Sequence, residues 1–118
     1  MEREERVNPV VLHVDGKDYT LEFSRDSVKF AESRGFDLDD LARFPMTKTY
    51  EFFYYAFRKN HKGIPRDMTD KIIDDGFGGV GGIPGELLER LGKLYAEPFN
   101  AHTEDDESGK KLKVSVDL

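Results

Sequence analysis

VVLHVDGKDYTLEF, residues 10–23, decides the fold class because it predicts two strands and the turn between them. Apolar and polar residues alternate on both sides of Asp15 and Gly16, which is the period-two pattern of strands that bury one face. An Asp-Gly pair supplies the positive φ angles of a tight hairpin turn. A longer connection through Lys17 and Asp18 stays open as an alternative. The stretch predicts an N-terminal antiparallel β-hairpin.

A helix is predicted directly after the hairpin. Ser24 is a suitable N-cap because its hydroxyl can accept a bond from an otherwise unpaired N–H of the first turn. Phe23 and Val28 occupy the positions of a hydrophobic staple, and Gly35 is expected to end the helix at about Arg34. Four further helices are expected, over residues 36–45, 47–61, 65–75 and 84–97. Pro45 is expected to close the first of them.

The C-terminal residues change character twice. Residues 103–111, TEDDESGKK, are polar and charged and predict a mobile segment. Residues 112–118, LKVSVDL, alternate apolar and polar side chains and predict a terminal strand, which can pair with the hairpin or with a neighbouring subunit. We therefore expect one α+β domain over residues 1–102, with the hairpin packed on four to five short helices. Residues 103–118 form a polar tail with a terminal strand in this interpretation.

The composition argues against several classes of protein. A chain of 118 residues with a net charge of −6 predicts one domain that does not bind nucleic acid, because phosphate contacts need clustered positive charge. The absence of Cys removes disulfides, thiolate metal sites and Cys nucleophiles. No run approaches the roughly 18–20 apolar residues of a membrane span, and the charged start MEREER leads into no signal-peptide core. We therefore expect a cytoplasmic protein without a membrane partner.

Residues 75–85, DGFGGVGGIPG, contain a formal G-x-G-x-x-G motif from Gly76 to Gly81. A dinucleotide site needs a strand before the glycines, but the preceding residues read as a helix, and Asp74 and Asp75 would repel a pyrophosphate. No Lys-Ser/Thr pair follows, so the phosphate loop of the NTPases is not matched either. We expect no nucleotide cofactor and interpret the run as a helix–helix linker that is mobile or ordered only by a neighbouring subunit.

The remaining polar residues predict no metal site and no catalytic site. His13, His61 and His102 lie in three different elements, and none has a second ligand at i+3 or i+4. His13 is expected to face solvent, and His61 to lie at a helix C-terminus. The basic residues in 58–66 suit the negative end of a helix dipole, while docking of a phosphate or an acidic partner is the alternative. We expect a protein that is not an enzyme.

The stretch TYEFFYYAF, residues 49–57, is aromatic around nearly the whole predicted helix. One face is formed by residues at the spacing i, i+3, i+4 and i+7, and Phe52 and Tyr55 point to nearly the opposite side. Either this helix is the enclosed centre of the fold, or another chain covers one of its faces. The predicted protein-binding residues are Phe52, Tyr55, Phe53, Tyr54 and Phe57, with the Phe52/Tyr55 side as the expected contact for a subunit or a client.

The order of these blocks resembles the small tail assembly chaperones of long-tailed bacteriophages and prophages. The residues that carry the resemblance lie in the hairpin, in the helix after it, in FFYYAFRKNH and in LLERLGKLYAEPFNA. Together the blocks cover most of residues 10–100, and the glycine-rich run is not part of the shared pattern. The matching residues are 16–23, 25–36, 56–61 and 91–98.

The resemblance implies a function that is not enzymatic. Such proteins bind the tape measure protein, a long helical chain that sets tail length, keep it soluble and help tail-tube subunits assemble around it. They are absent from the finished virion, and some are also made in an extended, frameshifted form that binds the tail-tube protein. For this chain the resemblance implies tape measure and tail-tube proteins as partners and action in the host cytoplasm. We also expect a homo-oligomer, because self-association would provide repeated binding sites along the client.

Three other functions stay open on the sequence. The chain could be a structural tail or head-completion protein, which would be present in purified particles. It could be a small acidic protein that binds and inhibits a host factor. It could also be a small enzyme or nucleotide-binding protein that uses the glycine run, which calorimetry with nucleotides would show.

Overall fold

The fold begins with the predicted hairpin. The computed structural model of the chain describes residues 7–99. Strands β1 (Val10–Val14) and β2 (Lys17–Leu21) pair antiparallel, with Val14 opposite Lys17. Asp15 and Gly16 have φ angles of 49° and 82°, so the two residues make the turn and the longer connection is excluded. Two positive φ angles match the twist of the flanking strands, and the predicted turn is confirmed.

Helix α1 (Arg25–Ser33) has the predicted cap at each end. The Ser24 hydroxyl accepts from the amide of Ser27 at 3.1 Å, and the Ser27 hydroxyl accepts from the amide of Ser24 at 2.8 Å. These reciprocal bonds satisfy donors that the helix itself leaves unpaired. At the other end Gly35 has a φ of +87°, and this left-handed residue turns Phe36 back into the core.

The next two helices correct the predicted role of Pro45. Helix α2 (Asp40–Arg43) is shorter than expected, and α3 (Pro45–Phe57) begins at the proline that was predicted to close the previous helix. Proline is favoured at the first helical position because the N–H that it lacks would have no partner there. Helix α3 ends at Phe57, before the predicted His61.

The C-terminal half of the described chain contains two further α-helices, one π-helical turn and two 3₁₀ turns. Their order agrees with the predicted helices over 65–75 and 84–97. The first predicted helix continues through the π-helical turn to Phe77, two residues farther than expected. None of the helices within residues 7–99 has the length and apolar character needed to cross a membrane. The elements are α4 (Arg66–Lys71), a π-helical turn (Ile72–Phe77), a 3₁₀ turn (Val80–Gly82), α5 (Gly85–Ala96) and a 3₁₀ turn (Glu97–Phe99).

The glycine run packs against its own chain in two short helical turns. The π-helical turn carries the chain into it, and the amide of Gly79 then bonds to the carbonyl of Ile73 at 2.9 Å. Phe77 and Val80 pack against the core, and Ile83 is buried in it. In this conformation the run packs on the core of its own chain, which argues against a linker that only a neighbouring subunit orders, and its mobility stays a prediction. Apolar residues spaced between the glycines make these contacts.

The core surrounds α3, which confirms the α+β fold with a hairpin packed on short helices. Phe52 is stacked between Phe23 and Phe36, with ring centroids 5.5 and 5.6 Å apart, and the Tyr95 ring meets it edge-on. Such ring pairs add about 0.5–1.5 kcal/mol beyond the burial of their area. The buried apolar residues are Leu21, Phe23, Val28, Ala31, Phe36, Phe52, Phe53, Tyr55, Ala56, Phe57, Ile72, Ile73, Ile83, Leu91, Leu94 and Tyr95.

The hairpin is attached to the helices through the outer edge of β2. The amide of Glu22 donates to the carbonyl of Ala56 at 3.1 Å, and the amide of Thr20 donates to His61 Nε2 at 2.9 Å. The side-chain amide of Asn60 donates to the carbonyl of Thr20 at 3.2 Å. The residues at the end of α3 thus take the hydrogen bonds that a third strand would otherwise make.

Candidate protein-binding surfaces

The structure buries most of the aromatic residues that the sequence predicted as a binding site. Phe52, Phe53 and Phe57 have no exposed surface and Tyr55 has 6%, while Tyr54 is half-buried. All four buried rings contact residues of the chain itself, so they are not available to a subunit or a client in this conformation. The helix is the enclosed centre of the fold, which is the first of the two interpretations that its sequence allowed.

Both faces of α3 are covered because different elements reach them. On one side Phe30 and Phe36 pack edge-on against Tyr55, with centroids 5.9 and 5.5 Å away. On the other side Tyr19 of β2 contacts Phe57 at 5.5 Å, and a ring of the glycine run lies over α3. A sequence pattern shows that two faces are apolar, but it does not show whether the chain has enough apolar surface to cover both.

The hydroxyl groups of this core are held in their neutral form. Burial raises the pKa of Tyr95 to about 12 and also raises the pKa of Tyr55 above its ordinary value. The Tyr50 hydroxyl donates to the carboxylate of Asp74, and this bond raises the pKa of Tyr50. The Tyr50 bond joins α3 to the π-helical turn, and the raised pKa values keep all three hydroxyls protonated at neutral pH.

An exposed apolar patch lies at the corner between α2 and α3. Phe44 is 50% exposed and Met46 is 66% exposed, on either side of Pro45. We call these two side chains the corner patch. Exposed apolar groups of this size mark a candidate binding surface, and these two are separated by a single residue along the chain.

The corner patch was missed in the sequence, although a signal for it is present. Met46 precedes Tyr50, Phe53 and Phe57 at helical spacings of i+4, i+7 and i+11, so it continues their stripe by one turn. The stripe therefore extends beyond the surface that the core can cover. Because residue 45 was interpreted as the end of a helix, Met46 was not assigned to the first turn of α3.

A second surface is basic and follows the positive residues predicted in 58–66. A cleft of about 610 Å³ is lined by Lys29 from α1 and by Arg58, Lys59 and Lys62 after α3, around the ring of Phe30. The charges are partly used within the chain. The Arg58 guanidinium lies 3.7 Å from the centroid of the Phe30 ring, and the Lys59 ammonium lies 3.3 Å from the Glu22 carboxylate. These internal contacts use the charges of Arg58 and Lys59, whereas the last turn of α3 itself holds no basic residue, so the predicted helix-end role is not seen there.

A third surface is a cleft of about 440 Å³ beside β1, which we call the β1 cleft. Its apolar lining comes from Leu12 and Val14 of the strand and from Met68, Ile72 and Phe77 of α4 and the π-helical turn. The rim is charged, with Lys71 and Asp75 on the helical side. The cleft opens along the edge of the hairpin opposite to the edge that α3 covers.

His13 and His61, the two histidines within residues 7–99, lie in different parts of the fold. His13 is exposed and its Nδ1 lies 2.6 Å from Asp18 Oδ1, whereas His61 follows α3 and accepts the amide of Thr20. His102, the predicted tail over 103–118 and the terminal strand over 112–118 lie outside the described residues. Across residues 7–99, no three His, Cys, Asp or Glu side chains are grouped as ligands of a metal ion.

Comparison with known proteins places the chain in a family without assigning it an activity. No curated protein matches it, and no solved structure matches it. A protein-family model described as "Domain of unknown function (DUF5055)" matches residues 7–118, which is nearly the whole chain. The match includes the hairpin, the helices and the C-terminal residues beyond 99. The chain therefore belongs to the DUF5055 family.

Proposed function

We propose that this protein is a non-enzymatic assembly chaperone that binds and solubilises the tape measure protein during phage tail morphogenesis. The observation that carries the proposal is the order of residue blocks that resembles the tail assembly chaperones. Several block residues build the fold: Gly16 makes the hairpin turn, Gly35 ends α1, and Phe57 lies in the core. The client-binding surface therefore has to be sought elsewhere on the chain.

The corner patch is the surface that we propose for the client. A long helical client presents apolar stripes, and such stripes bind exposed apolar side chains on a partner. Phe44 and Met46 offer two large exposed apolar groups at the start of α3, one on each side of Pro45. The net charge of −6 keeps the complex soluble while these groups are covered.

Self-association is part of the proposal. One pair of side chains provides a weak contact, and several copies along one client add their contacts as avidity. The proposed partners are a tape measure protein as the client and the tail-tube protein during assembly. The proposed place of action is the host cytoplasm, with the protein absent from the finished particle.

The test is co-expression with a phage tape measure protein, with the soluble fraction of the client as the measurement. We expect Phe44→Ser with Met46→Ser to lower that fraction several-fold, because the pair is the anchor of the contact. Val11→Thr is the matched control, since Val11 is also an exposed apolar residue, at 48%, but lies on the hairpin. Circular dichroism establishes that both variants fold.

Each alternative has its own outcome in the same experiments. Recovery of the protein from purified particles would favour a structural tail or head-completion protein. A soluble client in the presence of the double variant would remove the corner patch from the proposal. A client that stays insoluble with the wild-type protein, together with a specific host protein bound to it, would favour an inhibitor of a host factor.

A further inference from the structure

The two edges of the hairpin differ in their hydrogen bonds. Residues that flank a two-residue turn exchange backbone bonds, so Val14, and by alternation Leu12 and Val10, bond to β2. The backbone groups of Val11 and His13 point away from β2. The alternation is checked on β2, where the amide of Thr20 points outward to His61 Nε2.

The outer edge of β1 is open among the described residues. Within residues 7–99, no backbone hydrogen bond reaches Val11 or His13 from another element. The β1 cleft lies directly beside this edge, with Leu12, Val14 and Ile72 in its lining. An added strand would find hydrogen-bonding groups on one side and an apolar floor for every second side chain below.

We propose that residues 112–118 of the same chain pair antiparallel with the outer edge of β1 as a third strand and cover the β1 cleft. The segment LKVSVDL has the required pattern, because its four apolar residues alternate with three polar ones. Seven residues of strand span about 23 Å and five span about 17 Å, so the segment is long enough for β1. The apolar residues, which face the cleft, are Leu112, Val114, Val116 and Leu118.

The path of the chain favours its own segment over that of a second copy. The described chain ends at Phe99, and Glu97 accepts the amide of Val7 at 2.7 Å, so the chain leaves beside the start of β1. Residues 100–111 can reach about 40 Å when extended, which exceeds the roughly 17 Å length of β1. A tethered segment has an effective concentration in the millimolar range, far above the concentration of a second copy at micromolar protein.

The residues that the family match covers support the same pairing. The family match runs from residue 7 to residue 118, so it includes the C-terminal segment together with the hairpin. A two-stranded hairpin is marginal by itself, and a third strand adds a full set of backbone bonds. The segment thus completes a three-stranded sheet within one chain. This inference does not depend on the proposed chaperone function.

Amide hydrogen exchange, followed residue by residue by NMR, tests the proposal. The amides of Val11 and His13 report the outer edge, and the amides of Val10 and Leu12, which bond to β2, are internal controls. In a chain that ends at residue 111, we expect the protection factors of the Val11 and His13 amides to fall about tenfold or more. The two control amides should change little. Equal protection in the full and shortened chains would overturn the proposal.

A matched pair of variants of the full chain separates pairing from general destabilisation. Val114→Ser with Val116→Ser removes apolar groups from the cleft, and we expect it to lower the protection of the outer-edge amides as the truncation does. Lys113→Ser with Asp117→Ser changes the same number of residues on the other face without changing the net charge, and we expect protection to stay. Equal loss in both variants would overturn the assigned face. Loss of wild-type protection on tenfold dilution would show instead that a second copy occupies the edge.

Discussion

Phe52 and Met46 are two large apolar side chains of the same helix in opposite surroundings. Phe52, in the middle of α3, has no exposed surface, whereas Met46, in its first turn, is 66% exposed. Rings from β2, α1, α5 and the glycine run reach the middle of the helix, and the first turn lies beyond them. The difference teaches that burial along an apolar helix is decided by the neighbours that reach each turn. We call the part of α3 around Phe52 the enclosed half, and the first turn of α3, which holds Met46, the open turn.

The largest effect is expected from truncating Phe52, with truncation of Met46 as the comparison. Phe52→Ala should lower the free energy of unfolding by about 3–5 kcal/mol, because it leaves a cavity between Phe23 and Phe36. Met46→Ala should change it by less than about 0.5 kcal/mol, as exposed substitutions do. Urea unfolding measures both. If the two variants are equally destabilised, the open turn is covered by something in solution and the comparison fails.

The glycine run forms one wall of the enclosed half, and its conformation can be tested separately. A Cβ on Gly82 would lie 1.8 Å from the carbonyl oxygen of Phe77, whereas a Cβ on Gly81 would meet nothing within 4 Å. Gly82→Ala should therefore destabilise the fold by about 1–3 kcal/mol, since the backbone has to shift. Gly81→Ala is the control and should stay within about 0.5 kcal/mol.

The measurement for this pair is thermal unfolding under identical conditions. Because Phe77 lies over Phe53, with centroids 6.3 Å apart, a displaced run loosens the wall of the enclosed half. Two equally mild substitutions would mean that the run adapts freely. That result would support the mobile linker that the sequence predicted.

Local signals explain why the hairpin and first helix could be predicted from the sequence. The Asp15-Gly16 turn, the Ser24 cap and the glycine after α1 depend on residues that are neighbours along the chain. Their chemistry is set by backbone angles and nearby hydrogen bonds, so a short window contains the needed information. The predicted positions were confirmed within one or two residues.

The candidate surfaces could not be predicted in the same way, because they depend on contacts between distant elements. The alternation of Phe52 and Tyr55 with the opposite stripe showed two apolar faces. Only the packing of α1 on the one face, and of β2 and the glycine run on the other, shows that both are covered. Pro45 is compatible with a helix end and a helix start, and the wrong choice hid the corner patch. The π-helical turn lies where α4 continues into the glycine run, and no local sequence pattern predicted it.

The smallest effect concerns Tyr95, whose ring covers one edge of the enclosed half. Its folded pKa is raised by burial to about 12, from an ordinary value of 10.0. Between these values the folded state keeps a proton that the unfolded state has lost, so the free energy of unfolding falls as pH rises through this window and is unaffected below it. Tyr95→Phe has no such proton, and we expect a shallower decline in alkaline urea titrations. Met46→Ala removes no titratable group and should keep the wild-type slope. If the slope of Tyr95→Phe equals that of the wild type, the Tyr95 hydroxyl is solvated and the enclosed half is open on the α5 side.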